Sequence, residues 1–307
     1  MLSWRLLLAT GDSRYADLAE RTLFNVVATS PAPDGRAFFY ANPLHQRVPG
    51  VIPATDFVSN RAASSMREPW FAVSCCPTNV ARTFASLAAY LATVDRAGLQ
   101  LHQYADSRIT TTLDDGRRLG IEVKTGYPHD GAISVTVTES DDAPWELALR
   151  VPEWAAGAWL TDNGERRPVA PGMASVRRAF TVGEMVELEL PVSPRWTIPD
   201  RRIDAIRGCA AVEKGPLVLC LESIDLPEGR DLDSIRLDPG RELEERDGRT
   251  IAPGRLVDIE DRLWPYAAPG QGSDTGPEVP IPLVPYQQWA NRGPATMRVW
   301  VPTVDPV

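Results

Sequence analysis

The tetrapeptide Asp95-Arg96-Ala97-Gly98 separates two kinds of sequence pattern in this chain of 307 residues. Before it, apolar residues recur every three to four positions, as they do on one face of an α-helix. After it, apolar and polar residues alternate at every second position, as they do in half-buried β-strands. The chain is therefore predicted to be mixed α and β, with the helices first and the strands after them.

Three helices are predicted before this division. Residues 1–9 form the end of one, and Ser13 is a suitable N-cap for a second that runs to about Thr29. Pro77 is expected at the first position of the third helix, where its missing N–H has no partner to lose. Apolar residues recur along this third helix at Val80, Phe84, Leu87, Leu91 and Val94.

A long segment without helical or strand pattern, residues 30–74, connects the second and third helices and contains six prolines. A loop of this length in a compact domain is usually either functional or disordered. Because it contains His45 and leads directly to Cys75, we interpret it as facing a substrate. The alternative is a mobile segment with no role in binding.

The strand-like part of the chain carries clear alternation at residues 133–137, 147–151 and 186–190. The sequences Asp114-Asp115-Gly116 and Asp162-Asn163-Gly164 are typical of turns between such strands. Regular strands and turns favour antiparallel β-sandwiches. A second sandwich is expected from about Arg207, with residues 297–301 as its last strand. The predicted domains are therefore residues 1–97, 98–206 and 207–307.

Two adjacent cysteines, Cys75 and Cys76, stand where the long loop meets the third helix. The unpaired N–H groups of a helix start carry partial positive charge and favour the ionised form of a sulfur placed there. Such a sulfur can attack carbon or bind a metal ion. The alternative is that the pair fills core, since cysteine is among the most buried residue types. Cys209 and Cys220 lie in apolar, strand-like sequence and are expected to be buried thiols.

Several other residues are of types that bind metals or sugars in other proteins, but we predict structural roles for them. His102 lies in an alternating segment and is expected to be a hydrogen-bonded histidine rather than a metal ligand. His129 is expected in a turn. Trp154 and Glu222 are residue types that contact sugars, yet both lie in the predicted sandwiches, so we assign them structural roles.

Composition excludes several classes of partner. The chain is 43% hydrophobic and 24% charged, with a formal net charge of −9 and a pI near 5.0. This acidic balance argues against a nucleic-acid or anionic-membrane partner, and no apolar run reaches the length of about 18 residues that indicates a membrane span. Four cysteines are too few for a disulfide scaffold.

Several sequence blocks together resemble glycoside hydrolase family 127, whose prototype activity is β-L-arabinofuranosidase. The most specific block contains Trp70-Phe71 and then Cys75-Cys76-Pro77-Thr78-Asn79-Val80-Ala81-Arg82. Further blocks follow the family order at residues 5–12, 15–25, 34–44, 149–155, 214–222 and 289–300. One such block would be weak evidence, but the ordered set is specific.

The resemblance implies a fold and a mechanism. It implies the C-terminal helices of an (α/α)6 barrel followed by two antiparallel β-sandwich domains. The implied reaction is a retaining hydrolysis in which a zinc-held thiolate attacks the anomeric carbon and a glutamic acid protonates the leaving oxygen. By position, Cys75 matches the nucleophile, and Cys75 and Cys76 match two zinc ligands.

Two departures from the family pattern affect the expected activity. The family's other zinc ligands, its general acid and its sugar-binding histidines lie upstream of the matched segment, so we expect a fragment that is inactive alone. The second departure is His45, which follows Asn-Pro-Leu where many members have glutamate. His45 is expected to bind a sugar hydroxyl in its place, or the substrate differs.

Three hypotheses stay open. The favoured one is a zinc-dependent glycosidase that cleaves β-L-arabinofuranosides or related sugars. The second is a non-catalytic carbohydrate-binding or scaffold protein with structural cysteines, and the third is a redox or metal-responsive binder. A carbohydrate is the expected partner, with neither nucleic acid nor membrane; a homodimer is left open, and the expected location is cytoplasmic.

Overall fold

The structure, a computed structural model, describes residues 1–54, 58–60, 65–259, 266 and 276–304. Part of the predicted long loop, residues 55–57 and 61–64, lies outside the described residues. The chain forms two compact units. The first contains residues 1–23 and 79–193, and the second contains residues 24–78 and 194–307.

Three α-helices lie where the sequence predicts them, with shifted ends. They are α1 Leu2–Thr10, α2 Arg14–Thr22 and α3 Cys75–Ala85, with a π-helical turn Leu23–Val27 after α2 and a 3₁₀ turn Leu87–Tyr90 after α3. Gly11 ends α1 in the left-handed conformation, φ 69°, and donates its N–H to Leu7. Within the described residues, no helix has the length and apolar character needed to cross a membrane.

The third helix differs from its prediction at both ends. It begins at Cys75, so that Pro77 is its third residue, which is tolerated because the first four N–H groups of a helix have no partner within it. It ends at Ala85, and Val94 instead pairs with Leu99 between two strands. This strand pairing overrides the helical spacing of Leu87, Leu91 and Val94.

Twenty strands carry the rest of the described fold. In chain order they are β1 His45–Gln46, β2 Ala92–Val94, β3 Gly98–Leu101, β4 Ser107–Thr112, β5 Arg118–Thr125, β6 Ala132–Glu139, β7 Trp145–Val151, β8 Ala158–Asp162, β9 Glu165–Val169, β10 Gly172–Arg178, β11 Met185–Glu189, β12 Pro194–Thr197, β13 Cys209–Lys214, β14 Leu217–Glu222, β15 Ile235–Leu237, β16 Glu244–Arg246, β17 Arg249–Leu256, β18 Glu278–Pro285, β19 Met297–Arg298 and β20 Val301–Pro302. The mixed α and β class is confirmed.

The first unit contains two sheets. A four-stranded sheet has the order β10-β7-β3-β2, and a six-stranded sheet has the order β4-β5-β6-β11-β8-β9. The predicted turn at Asn163-Gly164 joins β8 to β9 with both residues at positive φ, as a two-residue hairpin requires. One pair departs from the predicted antiparallel arrangement, because β3 and β7 run parallel.

The alternation predicted for β6 and β11 is confirmed, since Ile133, Val135 and Val137 are buried opposite Val186 and Leu188. The prediction that β7 is half-buried is wrong. Arg150 of β7 is completely buried, because the Asp17 and Glu20 carboxylates of α2 pair with its guanidinium.

Further polar groups complete this buried cluster of the first unit. The hydroxyl of Tyr127 donates to Glu20 at 2.6 Å, and the indole N–H of Trp154 donates to the other Glu20 oxygen at 3.1 Å. The backbone carbonyl of His102 accepts from Arg150. A buried charge must be paired and hydrogen-bonded to be tolerated, and this cluster satisfies both conditions. Trp154 therefore has the structural role predicted for it.

The second unit is built on one ten-stranded sheet. Its main path is β1-β19-β14-β18-β17-β15, with β12, β13 and β20 attached through β13–β14 pairing and β16 attached to β17. The strand predicted at residues 297–301 is divided into β19 and β20, which pair with β14 and β13 respectively. Cys209 and Cys220 are buried, as predicted. Glu222 is buried as well and accepts the N–H of Ala290 at 2.8 Å.

Candidate functional site

The loop that leads to Cys75 is held in the second unit by a buried arginine. Arg67 donates to the carbonyl oxygens of Thr29, Gln287 and Trp289 at 2.8–3.1 Å, and to the side-chain oxygen of Asn291 at 2.8 Å. Burial lowers the pKa of Arg67 to about 10, so its guanidinium stays charged at neutral pH. One side chain thus connects the loop to a segment more than 200 residues later.

Aromatic stacking adds to this attachment. The Phe39 ring lies parallel to that of the fully buried Trp289, with centroids 4.7 Å apart, and the Arg67 guanidinium lies 4.4 Å from the Phe39 centroid. The neighbouring Phe38 exchanges two backbone hydrogen bonds of 3.0 Å with Glu68. The chain is therefore fixed on both sides of residues 38–39.

The next residue, Tyr40, contacts both cysteines. The Cys75 thiol donates to the Tyr40 hydroxyl oxygen at 3.8 Å, and the Cys76 thiol donates to the Tyr40 backbone carbonyl at 3.8 Å. The Tyr40 ring packs against Phe71, which is completely buried. Cys75 is exposed and Cys76 is half-buried. The predicted pair is thus brought together with a tyrosine at the first turn of α3.

At Cys76, the electrostatics differ from the expectation that a helix start favours ionised sulfur. Burial, together with the hydrogen bond and charge of Cys75, raises the pKa of the Cys76 thiol. Two neighbouring sulfurs cannot both ionise easily, because like charges repel at short range. A bound cation would reverse this effect, since metal coordination deprotonates a thiol.

The two sulfurs suit zinc by type and by spacing. They lie 4.0 Å apart. Two sulfurs at about 2.3 Å from a tetrahedral zinc ion lie about 3.8 Å from each other. Cys75 and Cys76 therefore fit as half of a zinc ligand set. Among the described residues, no cluster of three or more His, Cys, Asp or Glu side chains is placed to complete it.

His45 is the first residue of β1. It pairs with Arg298 of β19 and is half-buried. Burial and the nearby positive charges of Arg298 and Arg47 lower the pKa of His45, whereas Asp233 opposes the shift. The imidazole is therefore neutral at pH 7, with one nitrogen to donate and one to accept a hydrogen bond.

Sequence patterns did not reveal Tyr40 or Arg67 as parts of this site. Both lie in a loop, and their partners are distant in sequence or are backbone atoms. The one available signal is the apolar run Phe38-Phe39-Tyr40, which is unusual in an exposed loop. A cavity of about 580 Å³ in the same unit, lined by residues such as Arg241, Glu244 and Pro280, includes none of the predicted site residues.

Models of known families match the chain in three consecutive segments. Residues 1–89 match the β-L-arabinofuranosidase catalytic domain of glycoside hydrolase family 127 (GH127). Residues 98–192 match the middle domain of the same family. Residues 194–302 match its C-terminal domain. The three matches follow one another in order and leave few residues uncovered.

Known proteins are also similar to this chain over nearly all of its length. The non-reducing end β-L-arabinofuranosidase of Bifidobacterium longum subsp. longum is 29% identical over 332 residues, covering 98% of this chain and 47% of that protein. A GH127 β-L-arabinofuranosidase structure from Geobacillus stearothermophilus T6 is 32% identical with a TM-score of 0.83, over 98% of this chain and 48% of that one. A second structure, described as a glycoside hydrolase, is 30% identical with a TM-score of 0.83, over 98% and 50%. The chain spans about half the length of these relatives.

Proposed function

Because the chain belongs to glycoside hydrolase family 127, we propose that it contributes the nucleophile of a retaining glycosidase that acts on β-L-arabinofuranosides or related sugars. One observation carries the proposal: Cys75 is exposed at the first turn of α3, with the Cys76 sulfur 4.0 Å away. The relatives whose names include β-L-arabinofuranosidase support the substrate class.

In the proposed reaction, the Cys75 thiolate attacks the anomeric carbon. A carbon–sulfur bond forms as the glycosidic carbon–oxygen bond breaks, and the leaving oxygen takes a proton from a general acid, which we do not assign within this chain. Water then attacks the same carbon and gives a proton to the conjugate base of that acid, and the thiolate leaves as the carbon–sulfur bond breaks. Two displacements at one carbon retain its configuration, as in carboxylate glycosidases. The exposed sulfur of Cys75 is accessible for both steps.

Cys75 and Cys76 are also proposed as zinc ligands. Zinc bound there would keep sulfur deprotonated at neutral pH. This role suits Cys76 in particular, because the pKa of its thiol is raised without a cation. Cys76 then acts by holding the ion beside Cys75 rather than by attacking the sugar.

We further propose that His45 contacts a sugar hydroxyl. Its lowered pKa keeps the imidazole neutral, and a neutral imidazole can donate to one hydroxyl and accept from another. The proposed domains are residues 1–97 as the C-terminal part of an (α/α)6 barrel, with residues 98–206 and 207–307 as two β-sandwiches. Helices α1 to α3 and the largely antiparallel sheets support this proposal.

The alternative is a non-catalytic carbohydrate-binding or scaffold protein with structural cysteines. A structural cysteine is normally buried, as Cys209 and Cys220 are here. Cys75 is exposed, so it adds little to the core. This contrast between the two pairs of cysteines favours the enzymatic proposal.

The proposal is tested by Cys75→Ser in the whole protein, assayed with an aryl β-L-arabinofuranoside. We expect turnover to fall by at least about a thousandfold, because a serine hydroxyl does not ionise at neutral pH. Cys209→Ser is the matched control, since it removes a thiol distant in sequence from the pair, and it should retain turnover. Normal turnover by a folded Cys75→Ser variant would exclude Cys75 as the nucleophile.

A further inference from the structure

The six-stranded sheet of the first unit carries a row of polar side chains across its outer face. Lys124, Ser134, Glu187 and Thr161 lie on four neighbouring strands, β5, β6, β11 and β8. The strand register places Ser134 opposite both Lys124 and Glu187, and Glu187 opposite Thr161. Because neighbouring strands lie about 4.8 Å apart, the row extends over roughly 14 Å.

A cavity of about 440 Å³ lies along this row. Its lining also includes the small residues Gly126 and Ala132. The side chains that alternate with the row are buried on the opposite face, among them Val123, Val135 and Leu160. A volume of a few hundred Å³ is typical of sites for small molecules. The outer face therefore has room for a ligand that is recognised by side chains.

The side chains of the row have hydrogen-bonding capacity to spare. Three other carboxylates of the same strands are each paired with an arginine: Glu122, Glu139 and Glu189. Within the described residues, the Glu187 carboxylate has no such partner, and the Thr161 hydroxyl has no hydrogen bond. The Ser134 hydroxyl donates to the Met185 sulfur at 2.9 Å, which is a weak acceptor.

The chemistry of the row suits a neutral sugar. Lys124 can only donate, Glu187 can only accept, and the hydroxyls of Ser134 and Thr161 can do both. Sugar hydroxyls also donate and accept, so each can find a partner along the row. The charges of Lys124 and Glu187 offset each other, which gives no attraction for a highly charged ligand. A peptide cannot add here as a strand, because the backbones of these inner strands are already paired.

We propose that this groove, defined by Lys124, Ser134, Glu187 and Thr161, binds an oligosaccharide that contains arabinofuranose. It is a second carbohydrate site that shares no residue with the site at Cys75. The kind of sugar rests on the function proposed above, whereas recognition of hydroxyl groups follows from the side chains of the sheet.

The test is titration of the ¹⁵N-labelled chain with a β-L-arabinofuranosyl trisaccharide. The chain carries Cys75→Ser so that the sugar is not consumed. We expect saturable shifts of the backbone amide signals of Ser134, Thr161 and Glu187, and these signals give the Kd. Glu187→Ala removes a charged acceptor and should raise the Kd by about tenfold or more. Thr161→Val removes a hydroxyl at nearly constant shape and should raise it by about three- to tenfold.

Matched controls remove the same groups outside the groove. Glu153→Ala alters an exposed glutamate of the same unit, and Thr110→Val alters an exposed threonine of β4 in the same sheet, so neither should change the Kd. The amide spectra report in the same experiment that each variant is folded. Absence of saturable shifts at the groove would overturn the proposal, as would an equal Kd with and without Glu187→Ala. Binding is measured without turnover, so such a result leaves the nucleophile assignment intact, and that assignment fails only in the Cys75→Ser turnover assay.

Discussion

At the scale of single residues, the buried His102 makes the stability of the fold depend on pH. It was expected to be a hydrogen-bonded histidine, and one ring nitrogen does lie 2.8 Å from the Thr93 hydroxyl. The other nitrogen, Nδ1, is buried without a hydrogen-bond partner among the described residues. Trp4 packs edge-on against the ring, with centroids 5.7 Å apart. Burial, with the charge of Arg150, lowers the pKa of His102 to about 4.

This lowered pKa predicts a pH dependence of stability. The unfolded chain binds a proton at His102 below about pH 6.5, whereas the folded chain does so only near pH 4, so stability falls as pH decreases through this window. The expected loss is about 3 kcal/mol. Urea unfolding at several pH values would measure it. His102→Gln should flatten the dependence by that amount and His129→Gln, on an exposed turn, should not; an unchanged profile in His102→Gln would contradict the assignment.

Some residues of the candidate site could be predicted from the sequence and others could not. Cys75 and Cys76 could be predicted from the sequence, because two adjacent cysteines at a helix start can attack carbon or bind a metal ion. Tyr40 could not be predicted, because its contacts with the cysteines depend on where a loop returns to that helix. For Arg150 the sequence prediction was wrong, because the alternation of β7 predicts an exposed position. Its burial is explained by pairing with Asp17 and Glu20, more than 100 residues earlier in the chain.

At the scale of elements, the long loop is the feature on which the site depends. Its sequence predicts length and many prolines but gives no indication of what holds it. In the structure, Arg67 binds carbonyls of residues 29, 287 and 289, and Phe38 pairs with Glu68. These contacts join parts of the chain that no local pattern connects, which is why periodicity could not predict them.

Removing the arginine should loosen the loop. Arg67→Leu removes the donor to the buried carbonyls of Thr29 and Trp289 and to the partly buried carbonyl of Gln287. We therefore expect the free energy of unfolding to fall by about 2–4 kcal/mol. Amide hydrogen exchange should quicken at Phe38 and Glu68, whose N–H groups donate across the loop. Arg47→Leu, an exposed change in the same loop, is the control. Unchanged exchange at both amides in Arg67→Leu would show that Phe39 stacking alone holds the loop.

At the scale of the whole molecule, the change of pattern near Gly98 was visible in the sequence, but the grouping of segments was not. Residues 1–23 join residues 79–193 in one compact unit, through contacts such as those of Arg150 with α2. Residues 24–78 join residues 194–307, through contacts such as that of Arg67 with the Trp289 carbonyl. A buried arginine therefore connects segments that are distant in sequence within each unit.

The expected strength of zinc binding depends on how many ligands the whole chain provides. Closed zinc sites take four ligands, and the proposed site has two, Cys75 and Cys76. The chain should therefore bind zinc at one site but weakly compared with a complete structural site. Competition with a chromophoric chelator would measure both stoichiometry and affinity. The double variant Cys75→Ser and Cys76→Ser should lose this site, whereas Cys209→Ser and Cys220→Ser, which alter buried thiols, should keep it. Retention of the site in the Cys75 and Cys76 double variant would place the metal elsewhere, and tight binding by the parent chain would mean that it holds a complete ligand set.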